Sequence, residues 1–261
     1  MSSGFLNAPF KVNSPDVTYL DDRIESIYIY RSSYVDIEKK IVTPVEQTFL
    51  LRTQTKVPKT GIMLVGWGGN NGSTLTAGIL ANKHKMSWTT KEGKHISDYF
   101  GSLTQSSTLR LGLDGRGQSV YIPFKSVLPM CDPNNLVISG WDISSLNLAE
   151  SMTRAQVLDY DLQRQVTPLM SGLKPLPSIY NPDFIASNQS DRADNLVHGS
   201  KQEQLEHIRN DIRVFKAEHH LDKVIVLWTA NTERFSLVQT GLNTTWEELA
   251  ASILVCNECR I

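Results

Sequence analysis

Three runs of consecutive apolar residues stand out from a chain that otherwise alternates with polar positions. They are Gly61-Ile62-Met63-Leu64-Val65-Gly66, Leu136-Val137-Ile138-Ser139-Gly140 and Lys223-Val224-Ile225-Val226-Leu227-Trp228. Each has the length of a strand and lacks the every-second-residue polarity of a half-wet strand, so each reads as a strand covered on both faces of a parallel sheet. Between these runs the apolar period lengthens to that of a helix. Residues 73–84 follow the first run after a glycine-rich turn, with Ser73 or Thr74 able to cap them. Over residues 146–171, Leu146, Ala149, Met152, Ala155, Leu158, Leu162 and Val166 share one face; over residues 201–218, Leu205, Ile208, Ile212 and Phe215 do. Residues 245–255 form a further short helix. Strands separated by helices predict an α/β fold with a parallel sheet and right-handed crossovers. Only three core strands are evident, fewer than the roughly six common in doubly wound sheets. An unpaired sheet edge and exposed apolar surface are therefore expected.

The remainder of the chain reads differently. Residues 1–16 are polar, aperiodic and expected to be disordered. Residues 17–60 hold short β-branched and aromatic runs, such as Ser26-Ile27-Tyr28-Ile29-Tyr30 and Gln47-Thr48-Phe49-Leu50-Leu51. These predict a strand-rich extension that packs onto something else. Residues 85–130, rich in Gly, Ser and Thr, read as an elaborated loop with short elements. The core domain is expected over 61–253, with a divergent tail at 254–261.

Composition narrows the class. The 261 residues carry 40% hydrophobic and 20% charged side chains and a net charge of −1, an ordinary globular balance. Nothing in that balance draws the chain to nucleic acid or an anionic membrane. The amino-terminal residues lack a basic start followed by an apolar run, and no stretch is long enough to span a bilayer. The three cysteines, Cys131, Cys256 and Cys259, do not make a disulfide framework. A cytoplasmic setting is expected. Cys256 and Cys259 form one C-x-x-C pair without the two further ligands zinc needs, so the tail is read as accidental and no metal site is expected. The six histidines are dispersed, and no catalytic cluster is evident.

The strongest local signal is Gly66-Trp67-Gly68-Gly69-Asn70-Asn71-Gly72-Ser73-Thr74, set between a strand and a helix. Gly66 permits a tight turn, Gly68 and Gly69 leave room for a diphosphate against the backbone, and the helix start offers free N–H groups. The spacing departs from G-x-G-x-x-G, since Asn71 stands in the third glycine's place and Gly72 comes one later. A glycine-rich turn without a ligand would look the same. The acid that grips an adenosine ribose belongs at the end of the second strand, where Asp142 lies. It is much further along the chain than usual, and locally it reads equally well as a helix cap before Ile143. After the third strand, Thr229-Ala230-Asn231-Thr232 stands where open α/β sheets bind ligands. A plain polar strand–helix turn is the competing reading.

Taken together, GIMLVGWGGNNGSTL, ANKH, YFGSLTQSSTLRLG, LVISGWDI, LKPLPSIYNPDFIASNQSDRADN and DKVIVLWTANTER resemble the inositol-3-phosphate synthase family over roughly residues 17–253. The resemblance implies a Rossmann-like domain, here incomplete and preceded by the strand-rich extension. It implies NAD as a recycled cofactor, conversion of glucose 6-phosphate to inositol 3-phosphate, and a role in inositol and phospholipid biosynthesis. It places NAD contacts on Gly68, Gly69, Asn70, Asn71, Asp142, Ser178, Ile179, Gln189, Arg192, Thr229, Ala230, Asn231 and Thr232. Without the family, Arg192 reads rather as a surface salt-bridge partner than as a phosphate ligand. The resemblance also implies homo-oligomers. Family members are about twice this length, and their phosphate-binding and proton-transfer lysines belong to the half not matched here. The chain is accordingly read as a shortened isoform, inactive alone. The second reading is an NAD-binding or regulatory fragment that joins full-length subunits.

Overall fold

A computed structural model of the chain describes residues 10–183, 185–186, 188–230 and 237–255. Its elements run β1 (Val17–Tyr19), β2 (Arg23–Asp36), β3 (Ile41–Gln54), β4 (Thr60–Val65), α1 (Asn70–Lys83), β5 (Ser87–Thr90), β6 (Gly93–Ile96), β7 (Leu109–Leu113) and β8 (Ser119–Ile122). Then come β9 (Val137–Asp142), α2 (Leu148–Ala155), α3 (Tyr160–Met170), β10 (Leu176–Pro177), α4 (Lys201–Glu218), β11 (Lys223–Trp228) and α5 (Trp246–Val255).

The three apolar runs form strands of one sheet, joined by the very short β10; β4 is buried as expected, but β11 is not covered on both faces, because it lies at the edge of the described sheet. The parallel sheet has the spatial order β10-β9-β4-β11. Its first chain strand, β4, is central, and the chain winds outward one way to β10 before returning to place β11 on the other side. The order reverses between β4 and β11, and a crevice opens at such a reversal because the flanking helices cross to opposite faces.

Side chains alternate across the sheet, so neighbouring residues of β4 feed different cores. Ile62 and Leu64 pack with Trp67, Ala77, Leu148, Met152, Leu162 and Val166 under α1, α2 and α3. Met63 faces the other way, onto Trp141, Phe215 and Leu221 beneath α4. Gly61 is required there, because a Cβ would sit 2.4 Å from Leu221 Cδ1 and 2.6 Å from Phe215 Cε1. Trp141 also ties the layers by a directed bond: its Nε1 donates to Asp211 Oδ2 on α4 at 2.8 Å. Trp141→Phe is expected to cost about 2 kcal/mol, since the bond and ring volume vanish together. Urea unfolding checks this; an unchanged midpoint would show that the indole does not hold α4.

Several expected boundaries move. Helix α1 begins at Asn70, three residues before the expected start, and its N-cap is Gly69 with no side-chain cap. Ser73 lies inside the helix, its Oγ donating back to Gly69 O and Asn70 O. The apolar face over 146–171 belongs to two helices. Gln156 takes a left-handed conformation (φ 51°) that ends α2, and α3 restarts at Tyr160. Asn147, not Asp142, caps α2, through a capping box with Glu150. Within 85–130 the elaborated loop resolves into two hairpins, β5–β6 and β7–β8.

Exposed apolar surface occurs where it was expected. On β11, Ile225, Val226, Leu227 and Trp228 are 44–52% exposed, and the strand pairs only with β4 among the described residues. Strands β2 and β3 form a long antiparallel ribbon over the full register Arg23↔Gln54 to Asp36↔Ile41. The extension was expected to pack onto something else; in this structure Tyr28, Tyr30, Tyr34, Val42, Leu50 and Leu51 of the ribbon stay exposed.

Candidate functional site

The crevice at the strand-order reversal is built from backbone first. Strand β4 ends at Val65, whose carbonyl accepts from both the N–H and the Oγ1 of Thr229, at 2.9 and 2.8 Å. That double bond fastens the turn after β11 to the turn after β4. Gly66 follows with φ +85°, and a Cβ on it would lie 2.9 Å from Ala230 Cα. Only glycine tolerates both demands. The N–H groups of Gly66 and Trp67 donate to Trp141 O, each at 2.9 Å, which binds the turn to β9 as well. Trp67 then folds into the core, its Nε1 donating to Thr76 Oγ1 at 2.9 Å.

The two middle glycines have different tasks. Gly69 N–H closes the turn onto Gly66 O at 2.9 Å, and α1 begins one residue later. Its first turn carries no acidic residue and no side-chain cap, so the N–H groups at its start are presented to the crevice with the positive end of the helix dipole. Gly68 is buried and lies beneath that surface. A Cβ on it would stand 3.0 Å from Asp142 Cγ and 3.2 Å from Ser151 Oγ, so glycine here admits the carboxylate. The third-glycine task falls to Gly72: a Cβ there would lie 2.3 Å from Trp67 O.

Asp142 is the last residue of β9, 2% exposed, on the same side of the sheet as the glycine turn. Burial pushes its carboxyl above the ordinary range; the Ser144 N–H, Arg192, Arg154 and the Gly68 N–H pull the other way. Ser144 donates to Oδ1 at 3.0 Å, and Arg192 Nη1 stands 3.5 Å from the same oxygen. Arg192 sits on the short 3-10 turn Ser190–Arg192, held by a hydrogen bond from its Nε to Gln189 Oε1. Its Nη1 is buried with no hydrogen-bond partner among the described residues. The ion pair with Asp142 offsets part of the cost of burying this group, and an anion within hydrogen-bond reach would complete it.

A cavity of about 440 Å3 unites these groups, within the size range of cofactor and ligand pockets. Of the residues singled out from the sequence, Gly69, Asn70, Asn71, Asp142, Ser178, Ile179, Gln189, Arg192, Thr229 and Ala230 line it. Gly68 supports it from below, and Asn231 and Thr232 lie outside the described residues, as do Cys256 and Cys259. Asn71 Nδ2 reaches across to Thr229 O at 3.3 Å and bridges the two halves of the sheet. The lining also includes Arg154, Tyr180 and Trp228, which the sequence did not single out. Arg154 carries no motif, because its partner is a backbone carbonyl: Nη2 donates to Gly68 O at 2.7 Å. Burial lowers the Arg154 pKa, with Arg192 adding to the effect and Asp142 opposing it.

Chemically, the cavity offers helix-start amides and an orphaned guanidinium for phosphate, and a carboxylate for sugar hydroxyls. Val65, Ile179 and Trp228 give apolar surface for a flat ring. That set fits a dinucleotide.

Comparison with known proteins points to the same ligand. An NAD-binding family model described as myo-inositol-1-phosphate synthase matches residues 60–258. Inositol-3-phosphate synthase 1 of Homo sapiens is 57% identical over 248 residues, covering 94% of this chain and 44% of that protein. The protein of the same name from Oryza sativa subsp. japonica is 55% identical over 249 residues, covering 94% and 49%. The crystal structure of inositol-3-phosphate synthase from Caenorhabditis elegans superposes with a TM-score of 0.86 at 50% identity, covering 96% of this chain and 50% of that chain. The chain thus spans about half the length of the relatives it matches.

Proposed function

Since this chain belongs to the myo-inositol-1-phosphate synthase family, we propose that it supplies the NAD site of an inositol-3-phosphate synthase, which converts D-glucose 6-phosphate to 1D-myo-inositol 3-phosphate. The orphaned Arg192 Nη1 beside the buried Asp142, at the mouth of an uncapped helix, is the observation that carries this reading. In it, the first-turn amides of α1 at Asn70 and Asn71 receive the diphosphate, and Arg192 Nη1 completes its missing bond on a phosphate oxygen. Asp142 accepts from the ribose hydroxyls, and its charge excludes a ribose phosphate. Ser178, Ile179 and Gln189 wall one side; Thr229 and Ala230, with Asn231 and Thr232 beyond them, wall the other. Gly68 contributes by letting Asp142 approach. A nicotinamide held there would supply the hydride-transfer chemistry that the side chains cannot.

Calorimetric titration of the 261-residue chain tests the reading. Saturable binding of NAD, with clearly weaker binding of NADP, is expected; no binding of either would overturn it.

One observation favours the second reading, an NAD-binding unit that works by joining longer subunits. Ring closure needs a positioned proton-transfer group and charge stabilisation of an enolate. No lysine or histidine is among the described lining residues, and Asp142 is already assigned to the ribose. Incubation of the chain with NAD and glucose 6-phosphate is therefore expected to yield no inositol phosphate. Measurable product would return the reading to a self-sufficient enzyme. Association with a co-expressed full-length relative, through surfaces such as the exposed β11, separates a joining unit from an isolated one. No described helix is long and apolar enough to cross a membrane, which accords with the cytoplasmic location we propose.

A further inference from the structure

The Gly68–Gly69 peptide is held at both ends. Its N–H donates to Gly66 O at 2.9 Å, within the turn. Its oxygen accepts from Arg154 Nη2 at 2.7 Å, across 86 residues of chain. The arm has a fixed base, because α2 is anchored in the core by Leu148 and Met152, which are 0% and 1% exposed. An arginine in the last turn of a helix ordinarily serves that helix's own carbonyls. This one reaches into another element and into the cavity. The peptide it holds immediately precedes α1, with Gly69 as the N-cap. Its orientation therefore sets the direction in which the first-turn amides point.

Beneath the same peptide lies Asp142. The groups that face its carboxylate are Arg154 from α2, Arg192 from the Ser190–Arg192 turn, the Gly68 N–H from the glycine turn and the Ser144 N–H from the loop after β9. All four favour the ionised form, against burial.

We propose that Arg154 is a positioning residue of the NAD site, which locks the Gly68–Gly69 peptide so that the α1 amides meet the diphosphate. This rests on the reading of the cavity as an NAD site. Loss of Arg154 frees the peptide to rotate and removes one of the two cations that oppose the upward push of burial on the Asp142 carboxyl. The first effect weakens NAD at every pH; the second makes the weakening grow as the solution is acidified.

The experiment uses the full chain as three proteins: unaltered, Arg154→Met and Arg154→Lys. Each is titrated calorimetrically with NAD at pH 6, 7 and 8 and melted without NAD. Loss of one charge-assisted hydrogen bond predicts about tenfold weaker binding for Arg154→Met at pH 8. A steeper loss at pH 6 is expected, while melting stays within about 2 °C of the unaltered chain, as for a substitution outside the core. Arg154→Lys keeps the charge and restores the pH profile of the unaltered chain, with part of the affinity. Unchanged affinity in Arg154→Met overturns the proposal. So does a loss that follows a lowered melting temperature with no added pH dependence, since that is what mere structural support would produce. Failure of the unaltered chain to bind NAD overturns the reading of the cavity and this inference with it.

Discussion

Gly72→Ala destabilises this chain by a net of about 2 kcal/mol or more, whereas Gly78→Ala in the same helix stabilises it by up to about 1 kcal/mol. Helix propensity favours alanine at both positions by roughly 1 kcal/mol, so the difference isolates packing. At Gly78 an added Cβ meets nothing within 4 Å. At Gly72 it would lie 2.3 Å from Trp67 O, 2.7 Å from Trp67 Cα and 2.8 Å from Gly66 O. These are backbone atoms of a turn tied to β9 by two hydrogen bonds, with the Trp67 ring buried in the core. They cannot swing aside as a side-chain tip would, so α1 itself must lift. Overpacking of a core by one methyl costs on the order of 1–3 kcal/mol and more where backbone is the obstacle, which exceeds the propensity gain. Lifting α1 also moves the amides that start it, so Gly72→Ala is expected to lose NAD binding as well. Urea unfolding of both variants with an unchanged slope checks the signs. Two stabilising substitutions would mean that helix and turn do not pack as closely as described.

The second large effect concerns Asp142. Asp142→Asn is expected to weaken NAD by roughly 10- to 100-fold, the range for losing hydrogen bonds to a charged group. The amide keeps the size of the side chain and one oxygen for the Ser144 N–H, but leaves the Gly68 N–H facing a donor. It has no charge to offer Arg192, and its second polar atom is a donor where ribose hydroxyls need an acceptor. Stability moves differently. Burial is the largest influence on this carboxyl and raises its pKa. A group whose folded pKa lies above its unfolded one favours the fold while neutral, and that contribution is lost as pH rises through the folded value. Below the ordinary carboxylate range the contribution is intact; at pH 8 the charged form is a net cost. The neutral asparagine escapes that cost, so without NAD the variant should melt no lower than the unaltered chain at pH 8. A clear drop in melting temperature would show instead that the two arginines outweigh burial. Weaker binding with undiminished stability is the signature of a residue kept for its ligand.

Much of this was legible one segment at a time. The strands of the parallel sheet announce themselves by unbroken apolar runs, as a strand covered on both faces has no wet side to mark; β11 carries the same pattern although it is exposed in this structure. The capping box at Ser200 and Glu203 and the apolar face of α4 are equally local, and α4 spans the expected residues 201–218. The glycine turn was recognisable from its place between strand and helix. The misreadings were local competitions that a neighbour decided. Ser73 looked like a cap, but a glycine that must take an extended conformation against Gly66 O precedes Asn70 and starts the helix early. One helical period over 146–171 hid a left-handed residue at Gln156, because the apolar positions resume on the same side after the break.

What the sequence by itself determined, then, is the three long strands of the parallel sheet, the apolar faces of its helices and the place of the glycine turn between β4 and α1, all of which follow from patterns within a few residues. Only the tertiary structure decided what each turn residue is for. Gly68 makes room for a carboxylate that lies 74 positions later along the chain (142 − 68). Arg154 holds a carbonyl 86 positions before it, and Gly66 makes way for Ala230. The first two join the turn after β4 to β9 and α2, and the third joins strands that are adjacent only because the sheet reverses its order between β4 and β11. No local pattern encodes them, since each side chain satisfies its partner through the fold rather than through its neighbours in the chain.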